Sequence, residues 1–207
     1  VLGGTSAFSR PFAPYRTIGK EEKNAVLAVL DEGSLSGFIG AWVPEFYGGP
    51  RVRALEEAWA ERFGVKHAVS VNSATSGLNA AIGALGIEPG DEVIVTPTSM
   101  TATSTAIVIY QAIPIFVDIC PYTFCMDPRK IEEKITDRTR AIVAVDIYGE
   151  TAEWDAIGEL ARKHGLKTIE DAAQAQGGTY NSRKSGTMAD IGIFSLNRHK
   201  HIHCGEG

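Results

Sequence analysis

The polarity pattern of the chain changes period along its length. From about residue 67 short β-branched runs alternate with amphipathic stretches that carry helix stop signals, the pattern of parallel βα units. His67–Val71 reads as a strand and Thr75–Leu85 as a helix closed by Gly86, after which Pro89-Gly90-Asp91 turns the chain into a strand over Glu92–Thr96. Met100–Tyr110 reads as a second helix despite its threonines, and Ile113–Ile119 as a strand. Asp127 as N-cap and Pro128 at the first helical position signal a further helix. Arg140–Ile147 is the next strand, Glu153–His164 an amphipathic helix ended by Gly165, and Lys167–Glu170 and Ile191–Ser195 are two more strands. Upstream, Lys20–Asp31 places Ala25, Val26, Val29 and Leu30 at helical spacing, and Val52–Phe63 is also helical. Between these two, Gly33–Pro50 holds five glycines with Trp42 and Tyr47 and no period, which predicts an ordered loop near a site or an interface. The alternation makes the chain α/β and excludes all-α and all-β architectures.

Composition narrows the partners. The 207 residues, 44% apolar and 22% charged, are enough for one large domain with a substantial core. A net charge of -5 leaves no basic footprint, so neither nucleic acid nor an anionic membrane is expected as a partner. No apolar run approaches the ~18 residues of a spanning helix, and Val1-Leu2-Gly3-Gly4 lacks the regions of a secretion signal. Cys120, Cys125 and Cys204 are an odd number in a chain of this size, so a disulfide framework is not expected and a reducing cytoplasm is. The start without Met and the stop at Gly205-Glu206-Gly207 suggest a piece of a longer protein.

Several segments carry candidate chemistry. Asn72-Ser73-Ala74-Thr75-Ser76-Gly77 joins a strand to a helix, where backbone N–H groups and the positive helix end suit a phosphate; equally, Ser73 or Thr75 serves only to cap. The segment is neither GxGxxG nor GxxxxGK[ST], which speaks against a dinucleotide or a nucleoside triphosphate. Asp171 ends an apolar strand, where a carboxylate must be paired, by a cation such as a protonated pyridine nitrogen or by a turn that it caps. Gln174 either reaches a ring substituent or solvates a surface. A strand ending in Asp171, then a strand leading to Ser195 and Lys200, is the order of parts in a pyridoxal-phosphate site: an amine for the Schiff base, an acid for the ring nitrogen, a hydroxyl for the phosphate. A competing pattern is His199, His201 and His203, which in an extended segment would share one face and hold zinc or copper.

From about Pro14 onward the chain resembles the DegT/DnrJ/EryC1/StrS aminotransferases, which act on sugars and cyclitols. The resemblance is carried by Gly33-Ser34-Leu35-Ser36-Gly37, Leu55-Glu56-Glu57-Ala58-Trp59-Ala60, Gly90-Asp91-Glu92-Val93-Ile94 and Tyr148-Gly149. Its most specific part is Glu170-Asp171-Ala172-Ala173-Gln174 with Phe194-Ser195, Lys200 and Gly205-Glu206-Gly207.

The resemblance implies a fold type I large domain: a three-layer αβα sandwich with a mostly parallel, mixed central sheet. That domain would occupy residues 20–207 after an N-terminal segment 1–19, with the family's small C-terminal domain absent from this chain. It implies pyridoxal 5'-phosphate as cofactor, Lys200 as Schiff-base lysine and proton shuttle, and Asp171 as partner of the pyridine nitrogen. Gln174 would lie by the phenolic oxygen, and Ala74, Thr75 and Ser195, with Ser73 beside them, would hold the phosphate. Met100 stands where the family usually has an aromatic residue stacked on the ring, and Ala74, Leu196 and Asn197 replace the family's usual Gly, Phe and His. The implied reaction moves an amino group from glutamate or glutamine to a keto-sugar or keto-cyclitol, in a homodimer with shared sites. A dehydratase of the same fold, which carries His in place of the lysine, and a non-catalytic metal-binding protein are the alternatives.

Overall fold

The computed structural model describes residues 3, 4, 8, 10 and 16–207, so Pro14, where the resemblance begins, lies outside the described residues. The chain divides into two compact units, Val1–Ala54 and Leu55–Gly207.

In the first unit α1 (Lys20–Asp31) forms where the apolar spacing places it, and its start is closed by Glu22, whose Oε2 accepts the Gly19 N–H at 2.6 Å. None of its residues is buried. The aperiodic stretch 33–49 is ordered by a 3₁₀ turn, Pro44–Tyr47, and by aromatic packing around Phe46. That ring lies 4.8 Å from Trp42, 5.7 Å from Tyr47 and 6.0 Å from Phe38, centroid to centroid. Trp42 nonetheless stays 88% exposed within the chain. Helix α2 (Pro50–Phe63) starts slightly ahead of the expected Val52, with Pro50 in the first turn, where a missing N–H costs nothing.

The second unit is organised by a five-stranded sheet. Its strands are β1 (Glu92–Val95), β2 (Ile113–Phe116), β3 (Thr139–Val145), β4 (Lys167–Asp171) and β7 (Ile191–Ile193), in the order β2-β1-β3-β4-β7. All four pairings are parallel. Strands buried on both faces require continuous apolar runs, and Val93, Ile94 and Val95 in β1 and Ala141–Val145 in β3 are all almost wholly buried. Helices α3 (Ala74–Ala84) and α4 (Thr101–Ile109) cover one face through Leu78, Ile82, Ala106 and Ile107; α5 (Trp154–His164) covers the other through Trp154, Ile157 and Ala161. The layers are therefore those of an αβα sandwich. Burying a side chain the size of Ile157 stabilises the domain by roughly 1.5–3 kcal/mol.

Helix ends follow local chemistry. Ser73 caps α3 by accepting the Ser76 N–H at 3.1 Å, and Gly165 ends α5 in the left-handed region at φ 66°. A hairpin of β5 (Thr179–Tyr180) and β6 (Arg183–Lys184) leads into a loop that packs on β7. The fit is close: a Cβ built on Gly192 would lie 1.9 Å from the Gly186 carbonyl oxygen, so glycine is required there.

Two expected elements differ. His67–Val71 joins no sheet, because an apolar groove of about 590 Å³, lined by Trp59, Val69, Val71, Ile193 and Phe194, separates it from the free edge of β7 and leaves it without a ladder partner. Asp127 does cap, accepting the Arg129 N–H at 3.0 Å, but it opens two 3₁₀ turns, Pro128–Lys130 and Glu132–Lys134, in place of an α-helix. Ile131 sinks fully into the core between them, which a short segment achieves with i→i+3 turns.

Candidate active site

Parallel strands end together, so the segments after β1, β3, β4 and β7 converge at one edge of the sheet, where open α/β folds bind ligands. Asp171 is the last residue of β4, in register with Val145 on one side and Ile193 on the other. The residue is 5% exposed. Oδ2 accepts the Thr103 hydroxyl at 3.0 Å and Oδ1 the Ala173 N–H at 3.2 Å. Burial pushes this carboxyl above the usual Asp range, against the pull of those two hydrogen bonds and of the nearby Lys200 ammonium.

Lys200 is half-buried in the bend after β7, where its N–H donates to the Asn197 carbonyl at 2.9 Å. Burial lowers the amine from its ordinary value, and Asp171 partly restores it. The acid and the amine predicted from the sequence are thus brought within electrostatic reach across the end of the sheet. A buried carboxyl short of positive charge beside an amine disposed to lose its proton suits a protonated pyridine ring with an aldehyde.

The remaining predicted residues lie around this edge. Ser73 is the N-cap of α3, with Ala74 and Thr75 in its first turn, whose N–H groups have no partner within the helix. Ser195 is buried, 4% exposed, and its Oγ accepts the Asn197 N–H at 3.3 Å. The Oε1 of Gln174 accepts the Tyr148 N–H at 2.8 Å, leaving the amide NH₂ as a donor. Met100 is the N-cap of α4 and is 70% exposed. Leu196 and Asn197 come directly after Ser195, and Asn197 Nδ2 donates to Glu206 Oε2 at 3.2 Å.

Residues 198–202 run through turns and bends, so the alternation that would align His199, His201 and His203 is not formed. Among the described residues no group of three His, Cys, Asp or Glu side chains is placed to hold a metal.

Three features went unread in the sequence. Thr103 holds Asp171 and is itself bonded to the Ser99 hydroxyl at 2.9 Å, although its only local signal is a poor helix former inside a helix. Tyr148, in the Tyr148-Gly149 pair, takes a left-handed backbone at φ 57° and packs edge-on to Phe124 at 6.2 Å. Beneath the site, Glu170 and Asp146 form a buried carboxyl pair.

Comparison with known proteins gives this geometry a family. The DegT/DnrJ/EryC1/StrS aminotransferase family matches residues 17–207. The chain belongs to that family. It is 41% identical over 186 residues to the GDP-perosamine synthase of Caulobacter vibrioides, covering 90% of this chain and 47% of that protein. It is 39% identical over 210 residues to the L-glutamine:2-deoxy-scyllo-inosose aminotransferase of Streptomyces lividus, covering 100% of this chain and 48% of that one. Among solved structures, NtdA of Bacillus subtilis with bound cofactor PMP superposes with a TM-score of 0.78 at 35% identity, over 89% of this chain and 39% of that one. The chain spans about half the length of the curated relatives it matches. No helix among the described residues is long and apolar enough to cross a membrane.

Proposed function

We propose that this chain binds pyridoxal 5'-phosphate and serves an aminotransferase that moves an amino group from glutamate or glutamine to a keto-sugar, often nucleotide-linked, or a keto-cyclitol. The products belong to amino-sugar, polysaccharide or antibiotic biosynthesis. The observation that carries this is the placement of buried Asp171 at the end of β4 with the half-buried Lys200 amine close enough for each charge to act on the other. The names of the relatives, one a sugar enzyme and one a glutamine-dependent cyclitol aminotransferase, support the choice of donor and acceptor.

When bound, the cofactor supplies an electron-accepting ring that lets the carbon beside an amine lose a proton. Lys200 would hold it through its amine and would carry that proton; its lowered basicity favours the free amine that the task requires. Asp171 would keep the ring nitrogen protonated, and Thr103 holds the Asp171 carboxyl in place. The Gln174 NH₂ would be free to donate to the phenolic oxygen, since its Oε1 is bound to the Tyr148 N–H. Ser73, Ala74, Thr75 and Ser195 would hold the phosphate at the positive end of α3. Met100, 70% exposed at the start of α4, would offer its thioether to the ring.

The working enzyme is a homodimer, a reading supported by the exposed aromatic cluster around Trp42. Cys120, Cys125 and Cys204 are free thiols, which suits the reducing cytoplasm in which we place it. Borohydride reduction of the cofactor-loaded chain, followed by peptide mass mapping, should put a single adduct on Lys200. An adduct on Lys163, Lys167 or Lys184, or none, overturns the assignment.

A further inference from the structure

Side chains alternate along a strand, so Glu170, one residue before Asp171, points through the sheet to the opposite face. There it meets Asp146, and both carboxyls are fully buried. Asp146 Oδ1 accepts the Ala152 N–H at 3.0 Å and the Trp154 indole N–H at 3.1 Å. Its Oδ2 is buried without a donor from any N–H or hydroxyl among the described residues at hydrogen-bond distance. Glu170 Oε1 accepts the Gly186 N–H at 2.5 Å and Oε2 the Met188 N–H at 2.7 Å.

Among the described residues no cation balances the pair. Neither carboxyl forms an ion pair among the described residues. Ser185 and Trp154 face Asp146 as neutral groups, and Cys125 remains a thiol, pushed up to about 11 chiefly by its burial. Asp171 lies on the other face and feels the Asp146 charge, while the Lys200 ammonium acts on Asp171. Two fully buried carboxylates facing each other cannot both ionise at modest cost. The orphaned Oδ2 therefore needs a donor, and a proton on the facing Glu170 carboxyl supplies one, while the Ser185 hydroxyl that also faces Asp146 lies 3.3 Å from the Thr151 hydroxyl.

We propose that Glu170 and Asp146 share a single proton through Oδ2 of Asp146, and that in this singly charged clamp Glu170 acts as a positioning residue for the cofactor site. The positioning half of this rests on the aminotransferase reading above; the shared proton does not. The Asp146 N–H donates to the Asp171 carbonyl at 3.0 Å, and the turn just after Asp146 offers the Tyr148 N–H to Gln174. Pinning Asp146 to Glu170 thus fixes the ends of β3 and β4 together, and with them Asp171 and Gln174. A second charge in the clamp would stand behind Asp171, which must itself be ionised.

The deciding variant is Asp146→Asn. Its Oδ1 keeps the bonds to Ala152 and Trp154, and its NH₂ replaces the orphaned oxygen and donates to an ionised Glu170, so no proton is needed. In the cofactor-loaded chain, infrared difference spectra should show the carbonyl band of a buried carboxylic acid at neutral pH, absent in Asp146→Asn. Burial, and next the Asp146 charge, raise Glu170 to about 8, above its unfolded value. Its contribution to stability is therefore complete below the unfolded value and lost as pH rises through about 8. The thermal midpoint of the unmodified chain should fall over that interval, and that of Asp146→Asn should fall less. Cofactor retention should weaken by about tenfold or more in Asp146→Ala and recover in Asp146→Asn. No acid band at neutral pH, or a band that survives in Asp146→Asn, overturns the shared proton. Full cofactor retention in Asp146→Ala overturns the positioning role. An acid band in a chain that gives no borohydride adduct would instead remove the aminotransferase reading, with the positioning role that rests on it, and leave the shared proton standing.

Discussion

The Thr103 hydroxyl donates to Oδ2 of Asp171 at 3.0 Å, a contact between residues 68 apart in sequence. A side chain of α4 thereby fixes the direction of a carboxyl carried by β4. The bond stabilises the ionised form of a carboxyl that burial drives the other way. Thr103→Val should therefore make Asp171 harder to ionise and shift the acidic limb of the pH–rate profile of the full-length enzyme upward. Turnover on that limb should fall roughly tenfold, and Thr103→Ser should restore it. An unmoved limb would show that Thr103 only packs.

Asp171→Asn tests the acid itself. The amide fits the same space and still receives Thr103, so cofactor should remain bound, as read by absorbance after gel filtration. A neutral amide cannot hold the ring nitrogen protonated, so turnover should drop by orders of magnitude. Asp155→Asn is the control: that carboxyl sits on the surface of α5 with Arg183 and Asn181, and the change should leave turnover nearly as it was.

At the far end of the sheet Glu92 is buried, 2% exposed, and accepts the Thr136 hydroxyl and the Arg138 guanidinium. The Thr136 bond first, and then Arg138, hold it below the usual Glu range. A depressed carboxylate contributes stability above its unfolded value and loses it as pH falls through the folded one. Glu92→Gln should thus lower stability at neutral pH by about 1–3 kcal/mol, with the gap to the unmodified chain closing in acid. Chemical denaturation at a series of pH values reads this directly, and a gap independent of pH would refute it.

Assembly is open to a simple measurement. The ring cluster of Phe38, Trp42, Phe46 and Tyr47 orders the loop, yet leaves Trp42 88% and Tyr47 67% exposed in the single chain. Sedimentation of the full-length protein at micromolar concentration should show a dimer, and Trp42→Ser should shift it toward monomer. A monomer with full transaminase activity would show that one subunit completes the site.

What the sequence determined by itself is what depends on neighbours within a few positions. Apolar spacing placed α1 over Lys20–Asp31 to the residue, Gly165 marked the end of α5, and alternation of short β-branched and amphipathic runs required a parallel sheet between helices. The order Asp171, Ser195, Lys200 pointed to the chemistry, because each task demands its own functional group. Tertiary structure alone decided which groups face one another. His67–Val71 has the composition of a strand, but a strand exists only where a ladder partner lies alongside, and the nearest edge stands across a groove. The three histidines have the spacing of a metal face only if extended, and the bend after β7 removes that condition. Thr103 against Asp171, and Glu170 against Asp146, are set by the register of parallel strands joined through long crossovers. No local period records that register, since it is fixed by how the two faces of the sheet are packed.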